Sequence, residues 1–207
     1  MKLDKEKMVI GITGGVGSGK STVTSILREK YKAFIINTDQ IAHTFMKKDQ
    51  ISYKLIVKHF GSKILDEKGD IDRVKLGFIV YNDNEELKNL NLFTHPYVMA
   101  EVKNIIKEKA NENWSYICIE TALPIEASLH DICDKVWFVY TPLEIRNDRL
   151  RKSRNYSDEK IGNIISKQLS DEEYKNYASD VLVNEGTEEE LNKQIDRILH
   201  KYSENEV

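Results

Sequence analysis

At 207 residues, 40% of them hydrophobic, the chain is sized for one globular unit that could carry an inserted lobe. Thirty-one basic residues against 34 acidic ones leave a net charge of −3, without the broad basic excess of a nucleic-acid binder. Three prolines and ten glycines exclude a collagen-like or Pro/Gly-rich disordered chain.

In chain order, the apolar run Met8–Ile12 predicts a short buried strand. It is too short for a signal-peptide apolar region or a membrane span, so a soluble cytoplasmic protein with no membrane association is expected. Lys20–Tyr31 predicts a helix with Val23, Ile26 and Leu27 on one face, and Ala33–Asn37 predicts a second strand. A mostly helical block follows from about Gln40 to Asn111. Trp114–Glu120, Lys135–Tyr140 and Asp180–Val183 predict three more strands. Cys118 falls inside the third strand like a small core residue. Cys118 and Cys133 share no Cys-x-x-Cys spacing, so neither a disulfide nor a metal site is expected. The last helix opens with Thr187 and Glu190 at capping-box spacing and carries Leu191, Ile195, Ile198, Leu199 and Tyr202 on one stripe.

Short continuous apolar strands alternating with helices predict an α/β fold with a parallel five-stranded sheet flanked by helices. The block between the second and third strands exceeds a minimal crossover. It predicts an inserted helical lobe over residues 41–111, a natural place for a second substrate, beside a core of 8–40 and 112–207.

The segment Gly14-Gly15-Val16-Gly17-Ser18-Gly19-Lys20-Ser21-Thr22 fits G-x-x-x-x-G-K-[ST], between a predicted strand and a predicted helix. Glycines let backbone N–H groups turn inward around a phosphate. The helix beginning near Lys20 aims its positive end at the anion. Lys20 can reach the β- and γ-phosphates, and the Ser21 hydroxyl is a hard ligand suited to Mg²⁺. The loop therefore predicts a nucleoside triphosphate site. It does not by itself choose among kinase, GTPase and ATPase. The guanine-reading string Asn-Lys-x-Asp is absent in that spacing, since Asn192-Lys193-Gln194-Ile195-Asp196 is one residue too long.

A kinase also needs a group for the acceptor hydroxyl and cations over the phosphates. Asp39 follows the second strand, at the edge that faces the ligand crevice in a parallel sheet. It reads equally as an acceptor-positioning acid and as a helix N-cap for Gln40–Met46. Arg146, Arg149, Arg151 and Arg154 crowd nine residues, with Asn155-Tyr156-Ser157-Asp158 breaking one helix and capping the next. This reads as a mobile helical lid over about 144–176 or as a solvated basic helix. Glu120 ends the third strand, either holding Mg²⁺ through water or bonding loop N–H groups. His43, His59, His95, His130 and His200 show no metal-ligand spacing. His95 either touches substrate or fills a turn before Pro96, where a helix is expected to break.

Taken in order, these motifs resemble the dephospho-coenzyme A kinase family. The resemblance rests on Gly14–Ser21, on Asn37-Thr38-Asp39-Gln40-Ile41-Ala42 and on Gly69-Asp70-Ile71-Asp72-Arg73. It continues through His95-Pro96, Gln168 and Ala178-Ser179-Asp180-Val181-Leu182-Val183-Asn184-Glu185-Gly186. It implies a P-loop fold and ATP-dependent phosphorylation of the ribose 3′-hydroxyl of dephospho-coenzyme A, with Mg²⁺. Gly14, Gly15 and Gly17–Thr22 would hold ATP, and the Asn184–Gly186 loop would lie near adenine. Asp39, with Arg73 and His95, would serve the acceptor. Arg149, with Arg154 or Arg151, would belong to the lid. Three departures are visible. Asn37 replaces the first acid of Asp-x-Asp, Pro124 is displaced in Ala122-Leu123-Pro124-Ile125-Glu126, and Arg149-x-x-x-x-Arg154 is one residue longer than the commoner pattern. A kinase for another nucleoside or nucleotide, and a nucleotide-dependent switch, are the alternatives.

Overall fold

The computed structural model describes residues 7–124 and 128–204. Strand β1 (Met8–Thr13) is buried along nearly its whole length, which explains its unbroken apolar sequence. Helix α1 (Lys20–Tyr31) follows, buries Val23, Thr24, Ile26 and Leu27, and ends at Lys32 in the left-handed conformation. Strand β2 (Ala33–Asn37) leads directly into α2 (Thr38–Phe45), then α3 (Ile51–Phe60), a short 3₁₀ turn (Ser62–Ile64), α4 (Arg73–Asn82) and α5 (Asn84–Ala110). After β3 (Tyr116–Glu120) come α6 (Leu129–Ile132), β4 (Lys135–Tyr140), α7 (Leu143–Arg154), α8 (Asp158–Ile165), α9 (Asp171–Tyr177), β5 (Asp180–Val183) and α10 (Glu188–Glu204).

The five strands form an all-parallel sheet in the order β2-β3-β1-β4-β5. In register, Ile12 of β1 stands beside Glu120 of β3 and Trp137 of β4. The chain leaves β1 towards β2 and β3 on one side, then places β4 and β5 on the other. The C-terminal end of β1 is thus the switch point where an open parallel sheet offers a crevice.

One sheet face presents Ile10, Ile12, Cys118, Trp137, Val139 and Leu182 to α1 and α10. The α10 stripe of Leu191, Ile195, Ile198, Leu199 and Tyr202 is buried as its periodicity predicts. The capping box also forms: Glu190 N donates to Thr187 Oγ1 at 3.3 Å and Thr187 N to Glu190 Oε2 at 2.8 Å. Trp137 Nε1 donates to the Tyr202 hydroxyl at 2.8 Å, so the buried indole leaves no orphan donor. The opposite face stacks Phe138 on Tyr174 at 5.1 Å. Edge strand β5 is closed by the Gln194 amide, which accepts from Val183 N and donates to Val183 O, each at 2.9 Å. Ile195 is fully buried. Ile195→Ala is expected to cost about 2–5 kcal/mol, read as a lower urea midpoint. An unchanged midpoint would contradict this packing.

Packing divides the chain into two compact units, one of residues up to Ile36 with those from Lys109 onward, the other Asn37–Glu108. The second has its own core of Ile56, Phe60, Ile64, Leu76 and Val80. Two features differ from what the sequence predicts. Asp39 is not the cap of its helix: Asn37 is, with Oδ1 accepting from Gln40 N at 3.0 Å, and Asp39 lies inside the first turn. Nor does the helix break before Pro96, because α5 runs through it. The lost N–H costs one hydrogen bond, and buried Thr94, Val98 and Val102 on either side hold the helix continuous. Of the displaced-proline segment, Ile125 and Glu126 lie outside the described residues.

Candidate active site

The loop from Gly14 to Gly19 joins β1 to α1 at the switch point. Gly19 takes a φ of +89°, and a Cβ there would come within 2.0 Å of Asn184 Nδ2. Glycine is therefore required at this position by conformation and by space together. Helix α1 has no acidic residue in its first turn and no side-chain cap hydrogen bond at Gly19, so its own first turn does not offset its positive end. Two buried hydroxyls bracket the loop, Thr13 Oγ1 and Ser18 Oγ, and neither finds a partner among the described residues. Orphaned buried hydroxyls fit a loop that meets a polar ligand. Lys20 Nζ donates to the carbonyl oxygens of Gly14 at 2.7 Å and Gly15 at 3.2 Å, which holds the ammonium against the loop.

The far side of the loop is braced by the sheet edge. Asn184 is buried, and its Nδ2 donates to Ser18 O at 2.8 Å. The Thr141 hydroxyl lies 2.9 Å from both the Ser18 and the Asn184 carbonyl oxygens. Arg149 reaches the same knot: its Nη2 donates to Asn184 O at 3.1 Å and its Nη1 to Gly17 O at 3.5 Å. Asn184 thus acts on the loop with its own amide. Gly186 is exposed, beside a cleft of about 400 Å³ between the end of β5 and the first turns of α10, lined by Val183, Glu185, Gly186, Glu190, Lys193, Gln194 and Arg197.

The helix–turn–helix expected around the arginines is present. Asn155 ends α7 in the left-handed conformation, and the Ser157 side chain caps α8 by accepting from Lys160 N. The four arginines, however, divide by helix face. Arg146 and Arg149 face the loop. Arg151 is exposed and paired with Asp148 at 2.8 Å and Asp158 at 2.7 Å. Arg154 is exposed at the end of α7, 6.0 Å from the ring centre of Tyr156. At about 1.5 Å per residue it lies roughly 7.5 Å further along the helix than Arg149.

Glu120 lies where β3 ends. Its Oε2 accepts from Thr24 Oγ1 at 3.1 Å, and that hydroxyl is 3.2 Å from Ser21 O. Glu120 is therefore held against Thr24, three residues along α1 from the exposed Ser21. A serine hydroxyl and a carboxylate are hard oxygen donors, the kind that suits a cation which keeps waters and takes phosphate oxygens. Among the described residues no group of three or more His, Cys, Asp or Glu gathers as a protein-only metal cage.

In the second unit, Asp39 is exposed on the first turn of α2, one turn before His43. Arg73 opens α4, behind the cap Asp72. The His43 imidazole is held below its ordinary range by burial and by the Arg73 charge, with Asp39 acting in the opposite sense. Asp39 and Arg73 are thus brought to one electrostatic neighbourhood around His43, a residue whose sequence context gave no hint of it. His95 is half-buried within α5. The place of Arg146 against the loop was equally hidden among four arginines. The only available signal was its position in the first turn after β4, nearest the sheet edge.

A five-stranded parallel sheet with a G-x-x-x-x-G-K-[ST] loop at its switch point, carrying helices over that edge, is the fold of a P-loop kinase. The family model for dephospho-CoA kinase matches residues 8–190. A dephospho-CoA kinase of Carboxydothermus hydrogenoformans is 38% identical over 94% of this chain and 94% of its own length. One from Aquifex aeolicus is 36% identical over 93% of this chain and 96% of its own length. The solved structure of the dephospho-CoA kinase from Campylobacter jejuni superposes with a TM-score of 0.66 at 25% identity, covering 96% of this chain and 98% of that one. The chain belongs to the dephospho-CoA kinase family.

Proposed function

We propose that the protein transfers the γ-phosphoryl group of ATP to the ribose 3′-hydroxyl of dephospho-coenzyme A, giving coenzyme A and ADP. The observation that carries this reading is the Gly14–Thr22 loop at the switch point of a chain whose family match spans residues 8–190. In this account, loop N–H groups and the start of α1 hold the β- and γ-phosphates, and Lys20 leaves its carbonyl partners for the phosphate oxygens. Arg149 offsets charge on the transferring group, while Asn184 acts through Ser18 and Gly186 borders the adenine. Arg154, remote along α7, joins only on lid closure over 144–176.

The acceptor binds in the helical lobe, with Arg73 and His95 as contacts. Asp39 positions the 3′-hydroxyl and takes its proton as that oxygen bonds to the γ-phosphorus and the bond to ADP breaks. Mg²⁺ held by Ser21 directly and Glu120 through water would neutralise charge between the β- and γ-phosphates. Asn37 supports this scheme as the α2 cap, leaving Asp39 uncommitted to that role.

No helix among the described residues is long and apolar enough to cross a membrane. A cytoplasmic location and a small-molecule partner, without nucleic acid, fit that and the net charge of −3. The test is ADP release with dephospho-coenzyme A against a panel of nucleosides and nucleoside monophosphates. Release strictly dependent on dephospho-coenzyme A is expected. Preference for a panel member, or release indifferent to any acceptor, would point to a different kinase or to a nucleotide-dependent switch.

A further inference from the structure

Arg146 is only 5% exposed, an unusual place for a guanidinium on a helix otherwise rich in solvated charge. Its Nη2 donates to Asp171 Oδ1 at 3.2 Å and lies 3.4 Å from Oδ2, while its buried Nε finds no acceptor among the described residues. Asp171 opens α9, right after Ser170, whose capping box with Glu173 fixes that helix start. The other end of the guanidinium meets the phosphate loop: a Cβ on Gly15 would lie 2.0 Å from Arg146 Nη1 and 3.4 Å from Gln168 Oε1. Gln168, from the turn between α8 and α9, accepts from Val16 N at 2.9 Å. The first half of the loop is thus gripped from outside by α7 and by the α8–α9 turn, as its second half is gripped by Asn184 and Thr141.

We infer that Arg146, held by Asp171 and flanked by Gln168, is a positioning residue that fixes Gly15 and Val16 so that the rest of the loop points its amides at the nucleotide. The chemistry follows from burial. A buried guanidinium with one carboxylate partner has its direction set by that partner, because turning away would leave its charge unpaired. Gln168 takes the Val16 N–H, so this amide does not serve the phosphates and the loop's curvature at Val16 is set by the protein. Arg146 therefore acts through the loop backbone alone, whereas Arg149 is assigned a direct part in the transfer, and Arg146 links the α7–α9 helices to nucleotide affinity. The inference rests on the nucleotide-binding reading of the loop.

A double-mutant cycle on the full chain tests it, with Asp171→Asn, Arg146→Ala, the double variant, and Arg146→Lys. ATP affinity is read by titration calorimetry and turnover by ADP release. Asp171→Asn keeps volume at a side chain already 38% exposed, so it should fold even where Arg146→Ala does not. Asp171→Asn is expected to weaken ATP binding and lower kcat by about 10-fold each, and Arg146→Ala by more, on the scale of loop misplacement. The KM for the acceptor should stay within about twofold, and the double variant should be no worse than Arg146→Ala alone. Arg146→Lys, which keeps charge but loses the fork, should fall between wild type and Arg146→Ala. A merely structural pair would lower the melting temperature of Asp171→Asn while ATP affinity stayed within twofold of wild type, and that result overturns the inference. So do losses that multiply in the double variant. A wild-type protein that binds ATP but releases no acceptor-dependent ADP defeats the kinase reading, while the ATP-affinity cycle still decides the role of Arg146.

Discussion

Asp39→Asn is expected to lower turnover by about 10²–10⁴-fold while fold and ATP affinity stay as in wild type, the scale of a lost general base. The substitution is nearly isosteric and falls on an exposed side chain, so the packing of α2 keeps its shape. In the proposed mechanism it removes the group that would take the hydroxyl proton. The helix does not depend on Asp39 for its cap, because Asn37 accepts from Gln40 N. The remaining structural contribution is a negative charge in the first turn of α2, worth about 0.3–1 kcal/mol with the helix dipole. Steady-state kinetics beside a thermal melt separate the two roles. Turnover at the wild-type level in Asp39→Asn would assign the residue to the helix dipole alone.

Lys20→Ala is expected to cost about 10²-fold or more in turnover, the scale of one lost electrostatic contact in the transition state. Lys20 is the first residue of α1, where alanine is at least as good a helix former, so the melting temperature should hardly move. The ammonium's bonds to Gly14 O and Gly15 O are half-exposed and replaceable by water. ATP binding should weaken less than kcat falls, because charge on the transferring group grows towards the transition state. Comparable turnover in the variant would remove the loop from the chemistry.

Much of the core was readable because its physics is local. Parallel strands covered on both faces must be continuously apolar, and Ala33–Asn37, Lys135–Tyr140 and Asp180–Val183 stand as strands with the limits their sequences suggest. The third strand starts two residues late, at Tyr116, where the Trp114 backbone N–H still closes a turn onto Glu112 O at 2.9 Å and its ring lies 5.3 Å from that of Phe34. The phosphate loop and α1 were readable because glycine, lysine and helix start are coupled by one ligand geometry.

The helical lobe was not resolved into its parts. The starts of α2, α4 and α5 are set by Asn37, Asp72 and Asp83 side chains, each accepting backbone N–H groups, signals that polar loops also carry, while α3 starts after Gln50 with no side-chain cap. Pro96 misled because a proline's local cost is outweighed when both flanks are packed. The arginines misled for the opposite reason. Arg146 and Arg151 sit on one helix with the same side chain, and only the position of the sheet decides that one is buried on Gly15 and the other pairs with Asp148 in solvent.

Transfer to the ribose 3′-hydroxyl is best followed on the phosphoryl group itself. The protein is incubated with ATP labelled at the γ-phosphate, Mg²⁺ and dephospho-coenzyme A, and the labelled product is isolated and its phosphate position assigned by phosphorus NMR. Label is expected on the ribose 3′-oxygen of coenzyme A, in equal amount to the ADP formed. Label appearing only as inorganic phosphate, or at any other oxygen of the acceptor, would contradict it.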